Sequence, residues 1–193
     1  MYLARILYPV EVLGPGKRIG LWFAGCPHHC PECSNPELWA QPKRYSVAAE
    51  RIMEMICGIA AEHPVDGFTL TGGDPFYQPG ALCALTEQLC GISRDILIYT
   101  GYTLEELHAM HSEAVEKTLS AAAVLIDGRY IAARNTGCAL RGSDNQIIHI
   151  LNSEFQAAYD AYLQQENRIQ NFMIGTQVVS VGIHRPGFRF TGG

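Results

Sequence analysis

No uninterrupted run of about 18 apolar residues occurs in the 193-residue sequence, so no segment is fit to span a bilayer. The opening stretch, Met1-Tyr-Leu-Ala-Arg-Ile-Leu-Tyr-Pro9, lacks the basic-then-apolar pattern of a secretory signal, and a cytoplasmic location is expected. Basic charge is scarce as well. Fourteen Lys and Arg stand against 19 Asp and Glu, a net charge of -5, which argues against a nucleic-acid-binding surface. Internal repeats, low-complexity tracts and polar linkers are missing too, and the length fits one domain over residues 1–193. With 48% hydrophobic and only 17% charged residues, the chain has the material for a core and not the composition of a disordered protein.

Cysteine is the residue in unusual supply. Seven are present, an odd number that, with no secretory signal, fits a reducing compartment where thiols bind metal or stay buried. Cys26, Cys30 and Cys33 fall within eight residues, whereas Cys57, Cys83, Cys90 and Cys138 are scattered. The trio calls for a chemical explanation. Cys57, Cys83 and Cys90 lie on amphipathic helical patterns and read as small buried apolar residues, while Cys138 falls on a loop.

Short β-type runs alternate with helical patterns. Leu21–Ala24, Phe68–Thr71, Ile96–Thr100, Val124–Ile126, Ile147–Leu151 and Val178–Ile183 read as six strands. Between them, Ser46 is placed to cap a helix carrying Ile52, Met55, Ile56 and Ile59, and a second helix carries Leu82, Leu85 and Leu89. Thr103-Leu-Glu-Glu106 and Ser153-Glu-Phe-Gln156 have capping-box form. Alternating strands and helices imply βα units on a parallel sheet, and the continuously apolar runs suit strands covered on both faces. Six units are too few for a closed eight-stranded barrel, leaving an open, partial barrel or a doubly wound sheet. Either places a ligand at the carboxyl ends of the strands. The unusual residues sit there: the cysteine loop, Gly72-Gly73-Asp74-Pro75, Thr100-Gly101 and Asp127-Gly128.

The cysteine loop reads Gly25-Cys26-Pro-His-His-Cys30-Pro-Glu-Cys33-Ser-Asn-Pro36. Three thiolates form a soft-ligand nest suited to zinc or to an iron-sulfur cluster. A structural zinc site takes a fourth ligand, which His28 or His29 can offer, although no second Cys-x-x-Cys or His pair follows at zinc-finger distance. A four-iron cluster normally takes four cysteines; held by three, it keeps one iron open to a small molecule. Thr71-Gly72-Gly73-Asp74-Pro75 reads as a turn, or as backbone cleared for a ligand with an acid to meet a cation.

The Cys-x3-Cys-x2-Cys spacing resembles the signature of the radical S-adenosylmethionine (radical SAM) enzymes. The resemblance implies a [4Fe-4S] cluster on Cys26, Cys30 and Cys33, its fourth iron chelated by the methionine part of S-adenosylmethionine. It also implies a partial (β/α)6 barrel and a Gly-Gly-Glu-Pro-like stretch, here Gly72, Gly73 and Asp74, at the methionine amino group. The Asp variant is similar to that of activating enzymes of anaerobic ribonucleotide reductases. So are Gly14–Arg18, the His-His-Cys-Pro and Asn35-Pro-Glu-Leu-Trp39 stretches, Tyr99–Leu107, Leu125–Tyr130 and Leu140–Gln146. The likeness fades after about Leu151, so residues 152–193 read as an extension.

The residue before the third cysteine is aromatic in most of the broad family and is Glu32 here, as it is non-aromatic in reductase activators. Backbone contacts to the cofactor from Glu32, Cys33 and Ser34 are implied. Thr100 and Asp127 read either as ligands of its ribose or methionine part or as helix caps. Arg141, Ser143 and Asn145 read as lining the site or a partner groove. Gly14–Arg18 has the wrong spacing for a phosphate loop and reads as a turn with basic residues. His108 and His111 read as surface residues, and the terminal Thr191-Gly-Gly193 as a frayed end.

The function implied is reductive cleavage of S-adenosylmethionine to a 5′-deoxyadenosyl radical that takes a hydrogen atom from a glycine of a partner. The partner implied is an anaerobic (class III) ribonucleotide reductase, with a low-potential electron donor such as flavodoxin or ferredoxin. The rival readings are a different glycyl-radical enzyme or peptide as target, and a zinc-binding adaptor without catalysis.

Overall fold

The structure, a computed structural model, describes residues 1–184. The expected frayed end at Thr191–Gly193 lies outside the described residues. Strand β1 (Leu3–Val10) is followed by β2 (Arg18–Phe23), α1 (Ala49–Glu62), β3 (Gly67–Gly72), α2 (Pro79–Leu89) and β4 (Ile96–Tyr99). Then come α3 (Leu104–His108), α4 (Glu113–Ala121), β5 (Val124–Asp127), β6 (Ile147–Ile150), α5 (Gln156–Leu163), β7 (Ile169–Ile174) and β8 (Gln177–Gly182).

The first six strands form one sheet in sequence order, and β2 through β5 run parallel. Each of those three steps passes through helix, which carries the chain back to the starting end of the sheet. The sheet departs from six parallel strands at both ends. β1, which no sequence pattern announced, pairs antiparallel with β2 across a link too short for a crossover helix. β6 returns antiparallel to β5 because residues 128–146 contain only the short helical turn Ala132–Arg134. The sixth expected strand is β8, which leaves the main sheet altogether and pairs with β7 in a separate hairpin.

Burial follows the apolar runs. β2 and β5 are buried throughout, as strands covered on both faces must be. On one face Leu21, Phe23, Leu70, Ile98 and Leu125 pack against Ile52 and Ile56 of α1, Leu82, Leu85 and Leu89 of α2, and Val115 and Leu119 of α4. Each such side chain contributes about 1.5–3 kcal/mol on burial. On the other face Leu97, Val124 and Ile126 meet Tyr159 of α5, while Trp22, Leu7 and Val10 meet Val181 of the hairpin. Cys83 is buried and Cys90 partly so, but Cys57 is exposed. One position beyond inward-facing Ile56, it is rotated about 100° toward solvent.

Local signals fared unevenly. Thr103 and Glu106 form the expected capping box. Ser46 caps nothing, since α1 starts after Ala48, and Asn152 rather than Ser153 receives the Glu154 N–H. Of the expected surface histidines, His108 ends α3 and pairs with Glu116 at 2.9 Å, while His111 lies beyond that helix with φ +49°. Arg18 is not part of an exposed basic turn. It is wholly buried at the start of β2, its guanidinium 2.6 Å from Asp95, which also receives the Tyr159 hydroxyl at 2.7 Å.

Candidate functional site

The carboxyl ends of β2 to β5 open on one cavity of ≈ 1250 Å³. Cys26, Cys30 and Cys33 line it, with Glu32 and Ser34 beside them. Gly72, Gly73, Asp74 and Thr100 face the same space from β3 and β4. The sequence places these residues on three separate connections; the parallel register brings them together.

Backbone hydrogen bonds weld the cysteine loop to the glycine turn. Gly73 N–H donates to the Phe23 carbonyl and Asp74 N–H to that of Gly25, each at 2.8 Å. The loop's end is folded back on its start, with Gly25 N–H to Leu38 O at 2.8 Å and Cys26 N–H to Trp39 O at 3.0 Å. The approach is so close that a Cβ on Gly73 would lie 2.4 Å from the Gly25 oxygen, and one on Gly72 2.6 Å from the Phe23 nitrogen. These glycines therefore serve the packing of protein backbone on protein backbone. Both glycines also line the cavity, so this close packing stands beside the reading of Gly73 as backbone cleared for a ligand.

Asp74 is 1% exposed and its carboxylate is occupied within the protein. It accepts from Phe76 N–H at 2.9 Å, Gly101 N–H at 2.9 Å and the Thr100 hydroxyl at 3.0 Å, and lies 3.0 Å from His28 Nε2. The His28 ring also sets its edge on Tyr102, 4.5 Å between centroids, and a Cβ at Gly101 would strike it at 2.3 Å. So the partner that meets the acid is an imidazole of the cysteine loop, and Asp74 clamps that loop to β3 and β4. In the sequence His28 stands out only as a fourth ligand on offer to zinc. Its pairing with an acid 46 positions away leaves no local trace.

Asp127 does not line the cavity; its neighbour Gly128 does. Its carboxylate accepts from Leu104 N–H at 2.7 Å, the first turn of α3, and from Ile147 N–H at 3.3 Å, and lies 2.9 Å from His149. Of its two readings, the structure has it as a helix cap. Arg141, Ser143 and Asn145 knit their own loop instead of facing the cavity: Ser143 Oγ accepts from Ile131 N–H, and Asn145 donates to Arg129 O. Gly142 and Gln146 between them do line it.

The donor set fits an iron-sulfur cluster. Among the described residues no three His, Cys, Asp or Glu groups converge on a point that would hold a single ion. The three sulfurs instead share one cavity wall, and a cube takes each thiolate on a different iron. Burial pushes the Cys26 and Cys33 thiols up, opposed by N–H donors of His28 and His29 for Cys26 and of Asn35 and Trp39 for Cys33. The Trp39 indole N–H is buried without a hydrogen-bond partner, and its nearness to the Cys33 sulfur favours the thiolate. A charged sulfur there removes the cost of an orphaned donor. His29 stacks on the same indole at 4.8 Å, and both His29 and Glu32 hold positive φ, conformations that persist where neighbours over-determine them.

The chain matches a family model described as a 4Fe-4S single cluster domain over residues 12–149. It is 32% identical over 152 residues to the anaerobic ribonucleoside-triphosphate reductase-activating protein of Salmonella typhimurium, covering 75% of this chain and 96% of that protein. The protein of the same name from Vibrio cholerae is 33% identical over 150 residues (74% and 94%). That of Enterobacteria phage T4 is 30% identical over 150 residues (72% and 88%).

Proposed function

Because the chain belongs to the family of anaerobic ribonucleoside-triphosphate reductase-activating proteins, built on a 4Fe-4S single cluster domain, we propose that it makes a glycyl radical on such a reductase. One observation carries the reading: three cysteines and the Gly-Gly-Asp turn surround a single cavity at the strand ends. Cys26, Cys30 and Cys33 hold the [4Fe-4S] cluster. S-adenosylmethionine would be held by the backbone of Glu32, Cys33 and Ser34 and by the ends of β3 and β4 at Gly72, Gly73 and Thr100. Together the bound groups supply one-electron cleavage of S-adenosylmethionine and hydrogen-atom abstraction from a glycine.

The protein's own work is positional. Asp74, through His28 and Thr100, keeps the cysteine loop and the two strand ends in fixed relation. Asn35 directs its N–H at the Cys33 sulfur at 3.4 Å, and the nearby Trp39 indole also favours the charged form. The four parallel strands with their helices form the shortened core of a radical SAM-type partial barrel, within a single domain of residues 1–193. Its setting is the cytoplasm, with flavodoxin or ferredoxin as electron donor and with neither nucleic acid nor membrane as partner. No helix among the described residues is long and apolar enough to cross a membrane.

The test is anaerobic reconstitution with iron and sulfide, then dithionite, S-adenosylmethionine and an anaerobic ribonucleoside-triphosphate reductase from the same organism. The expected outcome is cofactor cleavage with an electron paramagnetic resonance doublet on the reductase, altered by carbon-13 glycine. A second reading, another glycyl-radical enzyme as target, draws on a 35-residue match, 49% identical, to the 4-hydroxyphenylacetate decarboxylase activating enzyme of Clostridium scatologenes. Cofactor cleavage without a radical on the reductase selects that reading; zinc in place of iron and sulfide removes both.

A further inference from the structure

The β7–β8 hairpin walls the site from a part of the chain that the family match does not reach, since that match stops at residue 149. The hairpin is firmly seated. Phe172, Val179 and Val181 pack on the cluster around Leu7, Val10 and Trp22. Gln170 accepts from Glu11 N–H at 3.0 Å and donates to Pro9 O at 2.7 Å.

The direction of its backbone groups follows from the turn. Gly175, with φ +61°, and Thr176 make a two-residue connection, so the flanking pair Ile174 and Gln177 exchanges both ladder hydrogen bonds. Alternation then gives the same bonding to Phe172 with Val179 and Gln170 with Val181. The N–H and C=O groups of Val178, Ser180 and Gly182 therefore point away from β7. Among the described residues no strand pairs with that edge. Residues 176–184 line the cavity in an unbroken run, so the strand presents its edge to the site, not one of its faces.

The cavity, at ≈ 1250 Å³, exceeds the roughly 300–1,000 Å³ of ordinary small-ligand sites and has room for a peptide beside a cofactor. A glycine substrate has no side chain to recognise, so its position must be read through backbone. Strand addition does this. We infer that the free edge of β8, from Val178 to Gly182, takes up the glycine-bearing segment of the partner enzyme as an added strand, suspending the target residue over the cofactor site. This rests on the activase reading and names the element that binds its protein substrate.

Residue-resolved hydrogen exchange on the reconstituted full chain, alone and with the whole reductase and S-adenosylmethionine, tests it. The amides of Val178, Ser180 and Gly182 are expected to slow at least tenfold in the complex, while those of Val179 and Val181, already bonded to β7, change little. As a second measurement, Val178→Pro deletes one outward N–H at a position where an edge strand tolerates proline. The reductase concentration giving half-maximal radical formation should then rise about tenfold, the equivalent of one lost hydrogen bond, with iron content as the check on folding. A mixture that forms the glycyl radical without slowing the three amides overturns the inference and leaves the activase reading standing. So do amides already slow in the free protein, because the edge is then taken by the chain itself. A wild-type protein that neither binds the reductase nor generates the radical removes the activase reading and this inference with it.

Discussion

A methyl group added at Gly73 meets the carbonyl oxygens of Gly25 and Leu38, at 2.4 and 2.8 Å, so Gly73→Ala must push the base of the cysteine loop away from β3. We expect a loss of about 1–3 kcal/mol in stability and reduced iron content as well as weaker S-adenosylmethionine binding. Iron assay and equilibrium binding check this, and undiminished iron with weakened cofactor binding would show that Gly73 serves the ligand and not the loop. Trp39→Phe keeps an aromatic ring against His29 but deletes the N–H near Cys33. Removing a donor worth about 1 kcal/mol should lower the cluster potential by ~40 mV, read by redox titration of the reconstituted protein. Ala at Cys26, Cys30 or Cys33 should abolish cluster assembly, whereas Ala at Cys57, Cys83 or Cys90 should leave iron content intact. The trio was legible because its ligand spacing is local. Trp39 was visible only as part of a motif, since the turn at Pro36–Leu38 is what swings it back to the loop.

At the scale of elements, Asp127 separates capping from ligand binding. Its carboxylate holds the first turn of α3 and the start of β6, so Asp127→Ala should cost about 1–2 kcal/mol in a urea melt while S-adenosylmethionine affinity stays within twofold. A large loss of affinity at unchanged stability would return it to the cofactor. The parallel strands and their helices could be read because burial on both faces produces continuous apolar runs, as in Val124–Ile126 and Phe68–Leu70. Direction could not. Whether Ile147–Ile150 returns parallel or antiparallel depends on the absence of a helix in residues 128–146, which a Gly- and Asn-rich loop signals weakly. β1 escaped notice because it is an edge strand of mixed burial, with its ladder shifted between Leu3 and Arg5 and between Leu7 and Val10.

Across the whole molecule the two ends of the parallel strands carry opposite tasks. The carboxyl ends hold the site; the amino ends hold Arg18, whose guanidinium binds Asp95, Thr69 and the Phe68 carbonyl in a space sealed by Tyr159 of α5. Burial raises the Tyr159 phenol well above its ordinary range, so it remains a neutral donor to Asp95 at any working pH. Asp95→Ala leaves a buried cation unpaired and should cost about 3–5 kcal/mol in denaturant, with iron content per folded chain unchanged. Equal loss of stability and of cluster would show that the two ends are not separable. This network was illegible in sequence, where Arg18 follows Lys17 and looks like a second surface charge; only the register of β2 on β3 shows that its side chain runs inward.

The hooks that seat the hairpin join residues 159 and 161 positions apart. Contacts between such distant points form late, because the entropy of closing so long a loop must be met first and the sheet must already exist to receive them. On the ribosome they cannot form at all until Gln170 has emerged. The nascent protein therefore passes through an interval in which the cysteine loop and the Gly-Gly-Asp turn are in place while one side of their chamber is still missing. During that interval the nest of thiols is uncovered on the side that the hairpin later closes. Pulse-labelled exchange during refolding would show the order directly, with protection reaching Leu70 before Val179.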